Sequence, residues 1–398
     1  MLSEKVLAMT KQKSIIREIF EYGMERAKIV GVENVFDFSI GNPSVPAPES
    51  VDKAIYKIMK EQDPVERHGY APNAGIPAVR ETIANFLNQK YDMDYTVNNI
   101  FMTNGAAASL GILFKVLTNG KDDEIITFAP YFPEYQAYAI SADVHLEVIP
   151  ADITSFQINF EVLEEKINNH TKAVLINSPN NPSGVVYSKE TIEKLAALLE
   201  EKQKEYGHPI YIISDEPYRE IVYDGFEVSY VPHYYDNTLV CYSYSKSLSL
   251  PGERIGYIAF SNKIADADVM PGALVQAARL LSYVCVPSMF QKVVAKCVAD
   301  TADLSIYAEN KKMFYHALIE MGYECVEPGG AFYLFPKALE EDAAAFCERA
   351  KKYDLLLVPS DSFGCPGHVR ISYCVSPDRI KRALPLFQKL IDEYKGEN

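Results

Sequence analysis

The chain has 398 residues, 48% apolar and 23% charged, with 39 Lys and Arg against 54 Asp and Glu, a formal charge of −15. That length accommodates about two or three domains around a large core. The acid excess argues against nucleic acid and anionic membrane as primary partners, since both require a net basic face, whereas a small anionic ligand needs only a few placed cations. Seven cysteines between Cys241 and Cys374, odd in number and without a C-x-x-C pair, read as reduced thiols of a cytoplasmic protein. Seven scattered histidines without H-E-x-x-H or a His/Cys doublet give no metal site.

The first 28 residues, MLSEKVLAMTKQKSIIREIFEYGMERAK, carry charges throughout and lack the apolar stretch of a signal peptide. No uncharged apolar run reaches the roughly 18 residues of a membrane span, so a soluble, cytoplasmic protein is expected. Short apolar runs then alternate with amphipathic ones. Helical patterns at Ile76–Tyr91, Ala106–Leu117, Glu134–Ile140 and Lys189–Tyr206 lie among strand candidates at Ile100–Thr103, Ile125–Phe128, His145–Ile149, Ala173–Asn177, Ile210–Ser214, Leu239–Ser243 and Gly256–Phe260. Such alternation predicts an α/β fold with a mostly parallel central sheet covered by helices on both faces. Several strands end in turn or polar residues (Asn104-Gly105, Asn177-Ser178-Pro179, Asp215-Glu216-Pro217, Ser243 to Lys246), and in open α/β sheets ligands bind at that edge. The last third reads differently. A long helical stretch at Ser288–Met321 precedes short strands around Ala331–Phe335, Leu355–Val358 and Val369–Tyr373, a helical Glu340–Tyr353 and a terminal helix Pro377–Tyr394. These elements predict a smaller α+β domain joined through a continuous helix.

Chemistry concentrates in Ser243-Tyr-Ser-Lys246, with Arg254 eight residues beyond the lysine after a Pro-Gly turn. A lysine just after a buried strand, held near other cations, is partly desolvated and has an amine free to attack a carbonyl. Ser243, Ser245 and Arg254 offer hydroxyl and fork-shaped donors to a phosphate. Asp215 closes an apolar strand, where an ionised carboxylate is expensive unless a cation meets it. Thr103-Asn-Gly105-Ala-Ala107 joins a strand to a helix whose first amides can cup a phosphate. Taken singly, each segment also reads as an ordinary loop.

Together they resemble the class I/II aminotransferases, the fold-type I enzymes that use pyridoxal 5′-phosphate. The motifs stand in family order: Ile40-Gly41-Asn42-Pro43, Tyr70 with Gly75 and Arg80, Thr103 to Ala106, Asn181-Pro182-x-Gly184, Asp215-x-x-Tyr218, Ser243-x-Ser245-Lys246, and Arg370. The resemblance covers essentially the whole chain. It implies a seven-stranded sheet in a large cofactor-binding domain (49–287) and a discontinuous small domain (1–48 and 288–398). It implies that Lys246 forms a Schiff base with the cofactor and moves a proton at the substrate Cα, that Asp215 pairs with the pyridine nitrogen, and that Asn181 and Tyr218 bond the ring oxygen. Gly105, Ala106, Ala107, Ser243, Ser245 and Arg254 would hold the phosphate, and Phe132 would stack on the ring. Tyr70 would reach the phosphate of the neighbouring subunit in a homodimer, while Gly41, Asn181 and Arg370 would receive the substrate carboxylate.

The implied reaction moves an amino group from an L-amino acid to a 2-oxo acid in a ping-pong cycle. A C–S β-lyase of the cystathionine β-lyase kind on the same scaffold is the alternative, and a cofactor-binding regulatory domain is disfavoured by the charge and by the lack of a basic winged-helix segment. Ala107 stands where some relatives that prefer aspartate carry a basic residue, which counts against an aspartate preference. Arg67, His68 and Arg279 are candidate side-chain selectors and equally candidate surface residues.

Overall fold

The computed structural model describes residues 2–10 and 14–396; residues 1, 11–13 and 397–398 of the expected small domain lie outside the described residues. Seven strands form the central sheet: β2 (Ile100–Thr103), β3 (Glu124–Phe128), β4 (His145–Ile149), β5 (Thr171–Asn177), β6 (Tyr211–Asp215), β7 (Thr238–Ser243) and β8 (Gly256–Phe260). Their spatial order is β2-β8-β7-β6-β5-β3-β4. All pairings are parallel except those of β8, which runs antiparallel to both β2 and β7. These strands are nearly continuous apolar runs because both faces are covered. Leu239, Cys241, Ile213 and Leu175 pack into one core, while Val174, Ile176 and Ile212 pack into another on the opposite face, the period-two alternation of a pleated strand. The helix Lys189–Tyr206 shows how the sequence bounds such covering elements. Ser188 accepts a hydrogen bond from the Thr191 N–H at its start, and Gly207 adopts φ 73° at its end.

The antiparallel β8 matters for function. Its first residues lie at the same sheet edge as the last residues of β2, β5, β6 and β7, because Gly256 pairs with both Thr103 and Ser243. One edge therefore collects the turn-rich ends of four strands and the start of a fifth.

The C-terminal elements gather around a second core that also takes in the chain near Phe38. Strand β1 (Phe36–Asp37) pairs in parallel with β10 (Leu355–Leu356). Strands β9 (Tyr333–Leu334), β11 (Val358–Pro359) and β12 (Val369–Ser372) form an antiparallel sheet in the order β11-β12-β9. Phe38 is fully buried, with its ring 5.2 Å from Phe314 and 6.1 Å from Phe387.

The expected continuous helix over 288–321 is corrected. Two helices, Ser288–Lys296 and Ser305–Met321, are separated by a turn. The intervening Cys297-Val-Ala-Asp-Thr-Ala-Asp303-Leu carries residues whose side chains compete for backbone groups, and Asp303 accepts bonds from both the N–H and the hydroxyl of Ser305. The turn is tied beneath the lysine loop by a 2.7 Å bond from the Ala302 N–H to the Ser247 carbonyl.

Candidate active site

A cavity of about 550 Å³ opens at the collecting sheet edge. Its wall toward β2 and β8 is built by close packing of backbone. Gly105 has φ +84°, and a Cβ there would meet the Arg254 guanidinium at 3.0 Å. A Cβ on Gly256 would approach the Tyr242 carbonyl to 2.3 Å. The helix Ala106–Leu117 begins here, and Ala106 and Ala107 line the cavity with first-turn amides that have no acceptor within their helix. The Ser243 and Ser245 hydroxyls lie 2.7 Å apart, and Ser243 also caps the short Lys246-bearing turn by accepting from the Ser245 N–H. Arg254, in the left-handed region, bonds the Pro251 carbonyl through Nη1 and lines the same wall. Amides, hydroxyls and a guanidinium converging with no acidic group among them make an anion cradle.

Asp215 sits at the buried end of β6. Its Oδ2 accepts a 2.7 Å bond from the Tyr135 hydroxyl, with Asn177 Nδ2 at 3.5 Å, while Oδ1 is buried without a partner. Burial raises its pKa to about 7; the Tyr135 bond opposes that rise and the neighbouring Glu216 adds to it. Glu216 is itself neutralised, with Oε2 2.5 Å from Arg219 Nε and Oε1 accepting from the Ser214 hydroxyl. Asp215 thus presents one unsatisfied carboxylate oxygen to the cavity, which calls for a positively polarised N–H.

Lys246 donates a 2.7 Å bond to the Gly41 carbonyl and lies 5.3 Å from the Phe332 ring centroid. Desolvation lowers its pKa to about 8; Arg370 and Arg254 push the same way and the Cys374 thiol opposes them. Gly41 can approach this closely only without a side chain, since a Cβ would fall 2.0 Å from the Tyr333 hydroxyl. That hydroxyl is 2.9 Å from the Tyr218 hydroxyl. Buried Arg370, from β12, donates to Asn181 Oδ1 at 3.1 Å and to the Ser39 carbonyl, and its guanidinium stacks 4.9 Å over the Tyr333 ring. Its Nε–H is buried and unpartnered, a donor left over for an incoming anion. Phe132 lines the cavity beside Asp215, edge-on to Tyr135.

Every residue expected at the site lines this cavity except Gly105, which backs Arg254, and Tyr70, which is 99% exposed. Arg67, His68 and Arg279, candidate selectors and equally candidate surface residues, lie away from this cavity. Arg67 is held by the Met59 carbonyl and His68, and Arg279 pairs with Gln276. Sequence reasoning missed Tyr135, Asn177 and Tyr333, and also Ser14 and Arg17 on the helix Ile15–Val30. Phe132 and Tyr135 are three apart around a helix start, a spacing that puts both on one side, but nothing in the sequence says that this side faces Asp215. Among the described residues one trio, Glu124, His145 and Glu147, has metal-ligand spacing. Its carboxylates are already met, Glu124 by Thr171 and Asn168, Glu147 by Lys166 at 3.0 Å.

A lysine of lowered pKa, a buried carboxylate with a free oxygen, an anion cradle and a buried arginine around one cavity define an enzyme of the pyridoxal-phosphate class. The family model "Aminotransferase class I and II" matches residues 33–385, and the chain belongs to that family. An amino transferase structure from Eubacterium rectale superposes with a TM-score of 0.96 at 54% identity over 99% of both chains. The aspartate aminotransferase of Thermotoga maritima is 33% identical over 92% of this chain and 94% of its own. The Thermus thermophilus aspartate aminotransferase solved with maleate superposes with a TM-score of 0.85 at 26% identity, over 98% of this chain and 99% of that one. The protein is a pyridoxal 5′-phosphate-dependent aminotransferase. The residues present fit the cofactor: the orphaned Asp215 Oδ1 suits its ring nitrogen, and the cradle around Arg254 suits its phosphate. Among the described residues no helix is long and apolar enough to cross a membrane.

Proposed function

We propose that this chain, as a cytoplasmic homodimer in amino-acid metabolism, exchanges an amino group between L-amino acids and 2-oxo acids in a ping-pong cycle. When bound, pyridoxal 5′-phosphate supplies an aldehyde carbon and a ring that draws electrons from the substrate Cα. Lys246 is the attachment point for that aldehyde and, once released, the base that takes and returns the Cα proton; a pKa near 8 leaves a useful neutral fraction at working pH. Asp215, oriented by Tyr135 and Asn177, holds the ring nitrogen, and Tyr218 with Asn181 faces the ring oxygen. The first amides of Ala106 and Ala107, with Ser243, Ser245 and Arg254, hold the phosphate, Gly105 leaves room for Arg254, and Phe132 covers the ring. Arg370, set by Asn181 and Ser39, grips the substrate α-carboxylate beside Gly41.

The observation that carries this reading is the convergence on one cavity of Lys246 with two buried, unpartnered polar atoms, Asp215 Oδ1 and Arg370 Nε. No feature of the cavity favours the lyase alternative. Relatives named as aspartate aminotransferases and a neighbour solved with maleate support a dicarboxylic substrate.

The pairing of β1 with β10 and the packing of Phe38 on Phe314 support a division into a large domain over 49–287 and a small one formed by 1–48 with 288–398. Tyr70, Val65 (80% exposed) and Leu280 (73%) are exposed apolar side chains on segments tied together by bonds from Asn73 to Val284 and from Ser288 to Arg67. Exposed apolar side chains on joined segments support a dimer in which Tyr70 serves the partner's site. Borohydride reduction of the yellow holoenzyme followed by peptide mapping tests the central claim. The cofactor is expected on the peptide carrying Lys246, and a label on another lysine or none at all would overturn it.

A further inference from the structure

The turn Asp215-Glu216-Pro217-Tyr218-Arg219 at the end of β6 presents charged groups on two sides. Asp215 and Tyr218, three residues apart, line the cavity, whereas Glu216 and Arg219, also three apart, do not. Away from the cavity these two form an ion pair whose side chains are only 2% and 3% exposed. Glu216 also accepts from the Ser214 hydroxyl, and its backbone N–H bonds the Cys241 carbonyl of β7 at 2.8 Å. The Arg219 guanidinium packs 4.7 Å from the Tyr242 ring centroid and 5.4 Å from that of Tyr230, and its Nη1 donates to the Tyr257 hydroxyl. Apolar side chains of similar volume would hold such a turn at least as well, because desolvation offsets most of the attraction within a buried ion pair. What an apolar pair would not supply is a negative charge one residue from Asp215. Tyr135 and Tyr138 from the helix Glu134–Ala142, Cys241 from β7 and Tyr218 from the same turn also face Asp215. Burial pushes the pKa of each of these upward, so they are neutral at working pH. Glu216 is the charged neighbour, and it adds to the rise that burial chiefly causes in Asp215.

We infer that Glu216 and Arg219 are a positioning pair for the reaction: Arg219 keeps Glu216 ionised in the interior, and that charge acts through Asp215 to hold a proton at the cofactor end of the cavity. Neither residue touches the reacting atoms. The inference rests on the reading that Asp215 meets the ring nitrogen, so the two must fail separately.

The test is the Asp215 titration in the full-length apoprotein, read by difference infrared spectroscopy against Asp215→Asn made in each background. Glu216→Gln keeps the shape and the bonds to Ser214 and Arg219 but removes the negative charge, and should move the titration down from about 7 by about one pH unit. Arg219→Met leaves the Glu216 charge unopposed and should move it up. The double variant, with neither charge, should fall between Glu216→Gln and the wild type, and Arg219→Lys should stay near the wild type. If Arg219→Met does not fold, the order of the other three decides. In the holoenzyme, Glu216→Gln should lower kcat up to about tenfold, the factor that goes with one pH unit, and leave the KM of the amino donor unchanged. A titration that stays near 7 in Glu216→Gln, or shifts that do not follow the order of charge, means that the pair only braces the turn and overturns the inference. Asp215→Asn alone is expected to lower kcat steeply. If it turns over like the wild type, the ring-nitrogen reading falls and this inference falls with it; if it is inactive while the order of titrations fails, this inference falls alone.

Discussion

The two ends of the cavity are built in different ways. The cofactor end is made of strand termini, and its polar groups are buried and bonded to one another before any ligand arrives: Tyr135 to Asp215, Asn177 to Asp215, Ser243 to Ser245, Glu216 to Arg219. The outer rim is formed by the helix Ile15–Val30 and the start of the helix Glu134–Ala142, and its charged groups, Arg17 and Glu134, are exposed and unpaired with each other. A preorganised wall suits a group that stays and whose electronics must be tuned, because donors fixed in advance need no reorganisation during reaction. An open mouth suits ligands that alternate within one catalytic cycle.

The largest expected effect tests whether the wall holds the cofactor without its covalent tether. Lys246→Ala should lower kcat for transamination by at least about a thousandfold, because it removes both the attachment point and the Cα base. Equilibrium dialysis should still show bound cofactor, held by Arg254, Ser243, Ser245 and Asp215. Retained turnover would move the base elsewhere, and loss of all cofactor binding would show that the wall is not preorganised.

A prepared wall also implies a cost in the cofactor-free protein. Asp215 has its pKa raised from 3.8 to about 7, so the folded apoprotein holds a proton more tightly than the unfolded chain does. Linkage then makes this residue's destabilisation complete above about pH 7; it fades as pH falls and vanishes below about pH 4, where both states are protonated. Asp215→Asn should therefore stabilise the apoprotein at pH 8 by as much as about 4 kcal/mol. The gain should shrink toward zero in acid, as read by urea unfolding of both proteins across that range. An advantage independent of pH would mean that the carboxylate's charge is not the source.

The contrast between the two ends also explains what could be read in the sequence. The wall is legible because alternating strands and helices fix which residues end each strand, and chemistry collects where strands end. Thus Asp215, Lys246 and Ser243 follow apolar runs, and Arg254 precedes the last strand of the sheet. Its position at that edge depends on β8 running antiparallel, a fact of sheet pairing that no local pattern encodes. Arg370 was placed by its motif position, not by any physics of the segment Val369–Tyr373. Arg17 was hidden because it lies in an amphipathic stretch dense with charges, where Arg17, Glu18, Glu21 and Arg26 look alike until the helix docks. The break near Cys297 was missed because apolar spacing resumes on either side of it, and only Asp300, Thr301 and Asp303 hint at the turn.

The smallest expected effect asks how finely the wall is tuned. Tyr135 is buried with no role of its own at the cavity surface, and its hydroxyl donates to Asp215 Oδ2 at 2.7 Å. That bond favours the ionised carboxylate, so it works against the desolvation that raises the Asp215 pKa. Tyr135→Phe keeps the ring and its contact with Phe132 but removes the donor, leaving Asn177 at 3.5 Å as the remaining side-chain partner of that oxygen. The Asp215 titration in the apoprotein, followed through the carboxyl stretch by difference infrared spectroscopy against Asp215→Asn, should move upward from about 7. Cofactor affinity should fall by about 1 kcal/mol, the net worth of one hydrogen bond. A purely structural role for Tyr135 would lower stability and leave the titration where it was. A downward shift would mean that the phenol stabilises the neutral acid, and that Asp215 meets the cofactor as a donor of its own proton.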